Sequence, residues 1–114
     1  MKVVSKKDFL ELPEGTVFCK GCQWVFYDMC VKNESTHNDY YYTPLYSMDC
    51  KGLDDYCDTL EDSLKNGTSY PMDLSIRRDG CFEEKDIFII FEKEDLYDLI
   101  NMLSKSLNNY KHYV

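Results

Sequence analysis

The sequence predicts an α+β protein: a mostly antiparallel sheet of about five strands with two main helices on one face. Short apolar runs bounded by turn residues predict the strands. Two longer segments carry apolar residues at helical spacing and predict the helices. The 114 residues contain no repeat or linker, so 1–114 is predicted to form a single globular domain with 108–114 as a frayed tail.

The first half of the chain predicts one short helix and three extended segments. Ser5 and Asp8 resemble a capping box that opens a helix, and Pro13-Glu14-Gly15 predicts the turn that ends it. β-Branched and aromatic residues dominate the three extended segments, which are 16–19, 24–32 and 40–47. Residues 33–39 are all polar and predict a loop. Pro44 favours an edge position for the third segment or a break within it.

The second half of the chain predicts two amphipathic helices with two strands between them. The first helix is predicted to begin at Leu53 and to end at Asn66-Gly67. Its apolar stripe comprises Leu53, Tyr56, Cys57, Leu60 and Leu64. Alternation predicts a strand over 72–77, and 86–91, apolar on both faces, predicts the central strand. The last helix, from Lys93 to about Leu107, is predicted to bury Leu96, Leu99, Ile100, Leu103 and Leu107.

Composition excludes several classes of function. Thirteen Lys and Arg stand against 21 Asp and Glu, a net charge of −8 that repels phosphates, so direct nucleic-acid binding is not expected. The longest apolar run, 87–91, is too short to cross a bilayer, and the first residues contain no signal peptide. We therefore expect a soluble cytoplasmic protein with no membrane partner and with reduced thiols.

The C-x2-C spacing of Cys19 and Cys22 is a weak metal-binding candidate. Two thiolates at this spacing can share a zinc ion, but a closed site needs two further ligands. The remaining cysteines have no Cys or His neighbour at comparable spacing, and they are Cys30, Cys50, Cys57 and Cys81. An ordinary turn is the preferred interpretation over a zinc or redox site, so no metal and no cofactor is predicted.

Two other groups of residues are candidates for partner binding. Asp54, Asp58, Glu61 and Asp62 lie away from the apolar stripe of their helix. An acidic face of this kind can occupy a basic nucleic-acid channel by charge complementarity, although such faces more often only keep a helix solvated. Tyr40 and Tyr42, in a run of tyrosines, are predicted to serve core packing and a protein-contact surface.

Catalytic signatures are absent from the sequence. It contains no nucleophile elbow, no metalloprotease helix, no phosphate-binding glycine loop and no dinucleotide fingerprint. We therefore do not predict an enzyme, although an enzyme of unfamiliar type stays open as an alternative.

Two blocks of the chain resemble small uncharacterised accessory proteins of phages, prophages and bacterial mobile elements. The blocks are Leu-Pro-Glu-Gly-Thr-Val-Phe at 12–18 and the segments 72–74, 78–82 and 87–96. These proteins have no agreed activity, so no residue role can be carried over. The resemblance implies an accessory gene product in a phage-exposed bacterium. Small acidic phage proteins often bind and block a host protein, and anti-CRISPR and other anti-defence proteins are among them.

These observations lead to a hypothesis of stoichiometric inhibition. The chain is expected to bind a host protein with a basic nucleic-acid-binding surface, plausible targets being nucleic-acid-handling defence enzymes. The alternative is a small-molecule or zinc-binding accessory domain that uses Cys19, Cys22 and the tyrosine cluster.

Overall fold

The computed structural model describes residues 1–22, 25–48 and 53–110, with the side chains of Leu53 and Asp54 left out. The strands are β1 Lys2–Ser5, β2 Val17–Gly21, β3 Phe26–Thr36, β4 Asp39–Pro44, β5 Ser47–Met48, β6 Met72–Asp73, β7 Arg77–Arg78 and β8 Ile87–Ile90. The helices are α1 Lys6–Leu10, α2 Leu53–Asn66 and α3 Lys93–Asn108. Six strands form one antiparallel sheet in the order β1-β8-β2-β3-β4-β7, and β5 pairs with β6. The predicted α+β class is confirmed.

The helix boundaries follow from local sequence signals. The Ser5 side chain accepts a hydrogen bond from the Asp8 amide at 3.3 Å, which is the predicted N-cap of α1. Gly67 follows α2 with a φ of +70°, a left-handed conformation that favours glycine, and its amide donates to the Ser63 carbonyl at 2.9 Å. The predicted starts of α2 and α3 are both confirmed.

Several predicted strands differ from the observed ones. The polar segment predicted as a loop over 33–39 is wrong in its first part, because β3 continues to Thr36 and pairs there with β4. The strand predicted over 72–77 is two short strands, since Ser75 and Arg77 bind the Asp73 side chain and bend the chain between them. Strand β1, at the sheet edge, was not predicted. Trp24, placed in a predicted strand, lies outside the described residues.

Four aromatic rings form the centre of the core on one face of the sheet. Phe9 of α1 stacks on Phe88 of β8 with ring centroids 3.9 Å apart and an interplanar angle of 3°. Phe18 and Tyr40 surround this pair at centroid distances of 4.6 and 5.0 Å from Phe9. The only other buried hydrophobic residues among those described are Cys30 and Ile90. The core is therefore small and is closed by α1.

The opposite face of the sheet is only half-buried. Strand β8 is an interior strand that pairs with β1 and β2, but the prediction that 86–91 is a central strand buried on both faces is only partly correct. Its residues Phe88 and Ile90 face the core, whereas Ile89 and Phe91 are half-buried. The described part of the chain contains no helix that covers this second face extensively.

The two long helices turn much of their apolar stripes to solvent, contrary to the predicted burial. In α3 no described side chain is buried, and Leu103 and Leu107 are 67% and 76% exposed. In α2 the buried residue is Thr59, while Leu60 and Leu64 are exposed. The shape is accordingly extended, with a radius of gyration of 16.5 Å. A compact chain of this length would have about 13 Å.

A one-sided core predicts unequal costs for two neighbouring truncations in β8. Phe88→Ala should lower the free energy of unfolding by about 3–5 kcal/mol, because it removes the ring that stacks on Phe9. Ile89→Ala should cost only about 1 kcal/mol, because Ile89 is already partly solvated. Denaturant titration measures the free energy of unfolding of both variants. The control is Leu64→Ala, which should change the free energy of unfolding by less than about 0.5 kcal/mol. Equal losses at Phe88 and Ile89 would contradict a one-sided core.

Candidate partner-binding surface

The acidic face of α2 is an exposed array of carboxylates. The acidic residues of this helix recur on one side because positions three and four apart share a face. Asp58 and Glu61 are exposed, and residues four apart lie about 6 Å apart along the helix axis. Glu61 forms an ion pair with Lys65 one turn later, which offsets part of its charge. Exposed acidic side chains therefore line the outer side of α2, as the sequence predicts; the side chain of Asp54 lies outside the described residues.

Asp62 is held in place by local donors. Its carboxylate accepts hydrogen bonds from the Tyr70 hydroxyl and from the Asn66 amide, the latter at 2.7 Å. The hydrogen bond from Tyr70, together with those from Asn66 and Thr68, lowers the pKa of Asp62. Asp62 therefore stays ionised at neutral pH in a fixed orientation, which makes it a preorganised negative charge at the edge of the acidic face.

Tyr40 does not lie on the exposed surface that was predicted for it. Tyr40 is 1% exposed and packs among the core rings, so its predicted contact with a partner is wrong and its predicted core packing is right. Burial raises the pKa of Tyr40, and the neighbouring Asp79 carboxylate raises it further, so the hydroxyl keeps its proton. Tyr42 is half-buried beside Tyr40, with ring centroids 6.0 Å apart.

Tyr40 and Tyr42 line an open cavity of about 300 Å³ on the core face of the sheet. Lys20 lies in its wall, where the ammonium is 3.0 Å from Asp79 and 3.4 Å from Asp86. Burial alone would lower the pKa of Lys20, but the hydrogen bond to Asp79 and the two negative charges outweigh it and raise the pKa. The cavity thus offers a paired cation and phenol groups, a lining suited to a small polar molecule.

The paired arginines use acids other than those of α2. Arg77 donates to Asp73 at 2.7 Å, and Arg78 donates to Asp39 at 2.6 Å. Asp39 is 1% exposed and also accepts a hydrogen bond from the Gly80 amide at 3.1 Å. The carboxylate therefore ties β7 and the following turn to β4. Asp39 was not identified as a structural residue from the sequence. The only signal in the sequence for this structural role was that Asp39 directly precedes a predicted strand.

The cysteines are dispersed. All five described cysteines are free, namely Cys19, Cys22, Cys30, Cys57 and Cys81, while Cys50 lies outside the described residues. Phe18 pairs with Cys30, and Lys32, two residues after Cys30 in β3, pairs with Tyr42, so Phe18 and Tyr42 lie on the same face of the sheet. Cys19 follows Phe18 in β2 and therefore points to the opposite face. Cys19 and Tyr42 therefore do not contribute to one common site. The described residues contain no group of three or more His, Cys, Asp or Glu side chains that could hold a metal ion.

Comparisons with known proteins add no relative. No family model matches the chain, and neither a curated protein nor a solved structure matches it. Within the described residues, none of the helices is both long and apolar enough to cross a membrane.

The buried carboxylate of Asp39 predicts an acid-sensitive contribution to stability. Burial raises its pKa, but the hydrogen bonds from Arg78 and from the Tyr40 and Gly80 amides outweigh that effect and lower the pKa. Stability from this group is therefore complete above its unfolded pKa of about 3.9 and is lost as the pH falls through the lower folded value.

Asp39→Asn should lower the free energy of unfolding at pH 7 by about 1–3 kcal/mol and should flatten its decline below about pH 4. Denaturant titrations across acid pH measure both effects. Asp58→Asn, which changes an exposed carboxylate, should shift the neutral value by less than about 0.5 kcal/mol. A variant at Asp39 as stable as the wild type at pH 7 would contradict the structural role of this carboxylate.

Proposed function

We propose that this protein is a non-enzymatic inhibitor that binds a host protein stoichiometrically through the acidic face of α2. The target class is a nucleic-acid-handling defence enzyme with a basic channel, as anti-CRISPR proteins block. The observation that carries the proposal is the exposed pair Asp58 and Glu61 beside the fixed Asp62, in a chain of net charge −8. A protein with this surface competes with phosphates for a cationic groove.

The geometry of the face supports binding more than mere solvation. A face that only solvates a helix needs no fixed orientation, yet Asp62 is bound by Tyr70 and Asn66. Fixed charges lose less conformational entropy when a partner binds, which favours affinity. Helix geometry separates Asp58 from Asp62, four residues later, by about 6 Å along the axis.

Electrostatic steering gives the proposal a kinetic signature. A surface of one sign accelerates encounter with a surface of the opposite sign, and salt weakens the acceleration because it screens exposed charges. The association rate of inhibitor and target should therefore fall steeply with ionic strength.

The test pairs a variant of the acidic face with a control of equal charge. Asp58→Asn with Glu61→Gln removes two exposed carboxylates from the face, whereas Glu14→Gln with Glu34→Gln removes two exposed carboxylates elsewhere. Both variants raise the net charge by the same amount, so a general charge effect would weaken partner binding by both variants equally. Each immobilised protein is exposed to bacterial lysate, and bound proteins are displaced with a DNA oligonucleotide.

The expected result is a basic, nucleic-acid-binding protein that the wild type and the control retain and that the oligonucleotide releases. For that partner, the α2 variant should associate about tenfold more slowly at low salt and show a shallower salt dependence. Recovery of no basic partner, or equal rates and salt slopes for the two double variants, would contradict the proposal.

A further inference from the structure

Helix α3 carries a regular apolar stripe that is largely exposed. Its members recur at spacings of four, three and four residues, and they are Leu96, Ile100, Leu103 and Leu107. Ile100, Leu103 and Leu107 are 57%, 67% and 76% exposed. Alternating spacings of three and four place one apolar residue on the same side of the helix at every turn, which is the pattern of a helix-pairing seam.

The first turns of α3 are attached to the rest of the described chain. The amino group of Met1 lies 2.7 Å from the Asp95 carboxylate, and the same carboxylate accepts from the Glu92 amide at 2.8 Å. Leu99 and Met102 line a shallow groove beside Met1. Beyond this point the stripe continues to Leu107, and no helix or strand of the described residues makes an extensive contact with α3.

Beyond its first turn, the seam side of α3 is uncharged. The residues that flank the stripe there are Tyr97, Leu99, Ser104 and Ser106, whereas Asp98 and Lys105 lie on the far side of the helix. Lys93 is on the stripe side but belongs to the attached first turn. An uncharged seam gives a basic or acidic partner nothing to pair with. It does suit a second identical helix, because Ile and Leu at alternating seam positions are self-complementary about a two-fold axis.

The exposed area is large enough to support a dimer. The chain exposes 8550 Å² of accessible surface. A folded monomer of 13.5 kDa exposes about 6,500 Å², so about 2,000 Å² is in excess. A specific interface covers about 800 Å² on each partner. One dimer interface therefore fits within the excess.

We propose that the occupant of the α3 stripe is a second copy of this chain, and that the two copies pair helix against helix through Ile100, Leu103 and Leu107. The dimer presents two acidic α2 faces from one particle. This inference does not depend on the proposed target, because it rests on the apolar side of a different helix.

Salt should act on this dimer in the opposite direction from its effect on the proposed target complex. Each copy carries a net charge of −8, so two copies repel at long range. Salt screens that repulsion without weakening apolar contacts. Dimerisation should therefore tighten as ionic strength rises, whereas binding of the acidic face to a basic channel should weaken.

Sedimentation equilibrium of the full chain tests the proposal. The wild type should approach twice the chain mass of 13.5 kDa at micromolar concentration, and its dissociation constant should fall between about 0.05 and about 0.5 M NaCl. Leu103→Glu should weaken dimerisation by about 100-fold or more, because each interface would bury two unpaired charges. Leu103→Ala, a milder change, should weaken it by about tenfold.

The matched control is Leu64→Glu, the same substitution at an exposed leucine near the end of α2. It should leave the dissociation constant unchanged. A wild type that stays monomeric at about 100 μM would overturn the proposal, as would an equal effect of Leu64→Glu. Leu103→Glu should also leave the melting temperature of dilute monomer unchanged, and a lowered value would instead mean that the stripe packs within its own chain.

Discussion

The stacking of Phe9 on Phe88 is the constraint on which the rest of the structure depends. The two rings are parallel and fully buried, and Phe9 is the residue through which the five-residue helix α1 enters the core. On the other side of Phe9 the Lys32 ammonium lies 5.7 Å from the ring centroid. A helix this short has little stability of its own, so the ring that it buries is what holds it on the sheet.

Because α1 closes the core on one face of the sheet, the two long helices are not needed to cover that face. Helix α2 turns Thr59 inward and keeps Asp58, Glu61 and much of its apolar stripe in solvent. Helix α3 is attached at its first turn by Asp95, and its later residues Leu103 and Leu107 are exposed. The protein thus separates a small aromatic core from two exposed helices. Their chemistry differs, one acidic face and one apolar stripe, so salt acts on their proposed contacts with opposite sign.

Buried charges hold the chain between the aromatic core and α3. Lys6 is 2% exposed and donates to the Cys81 carbonyl at 2.8 Å, which fixes the segment before β8 to α1. Asp39 binds Arg78 and the Gly80 amide, and Lys20 binds Asp79. Each of these contacts joins residues far apart in sequence. Removal of one partner would leave a buried charge uncompensated, so these pairs specify where the 78–86 segment lies.

The sequence by itself determined the α+β class, the capped start of α1 and the boundaries of α2, because caps, glycines and apolar periodicity act within a few residues. It also determined the acidic side of α2. Only the tertiary structure decided that Tyr40 is buried and that the α3 stripe is open. A period of 3.6 residues shows that a helix has an apolar side, but the surface that covers that side depends on contacts between distant segments. Asp39 escaped prediction for the same reason, since its partner Arg78 is 39 residues away.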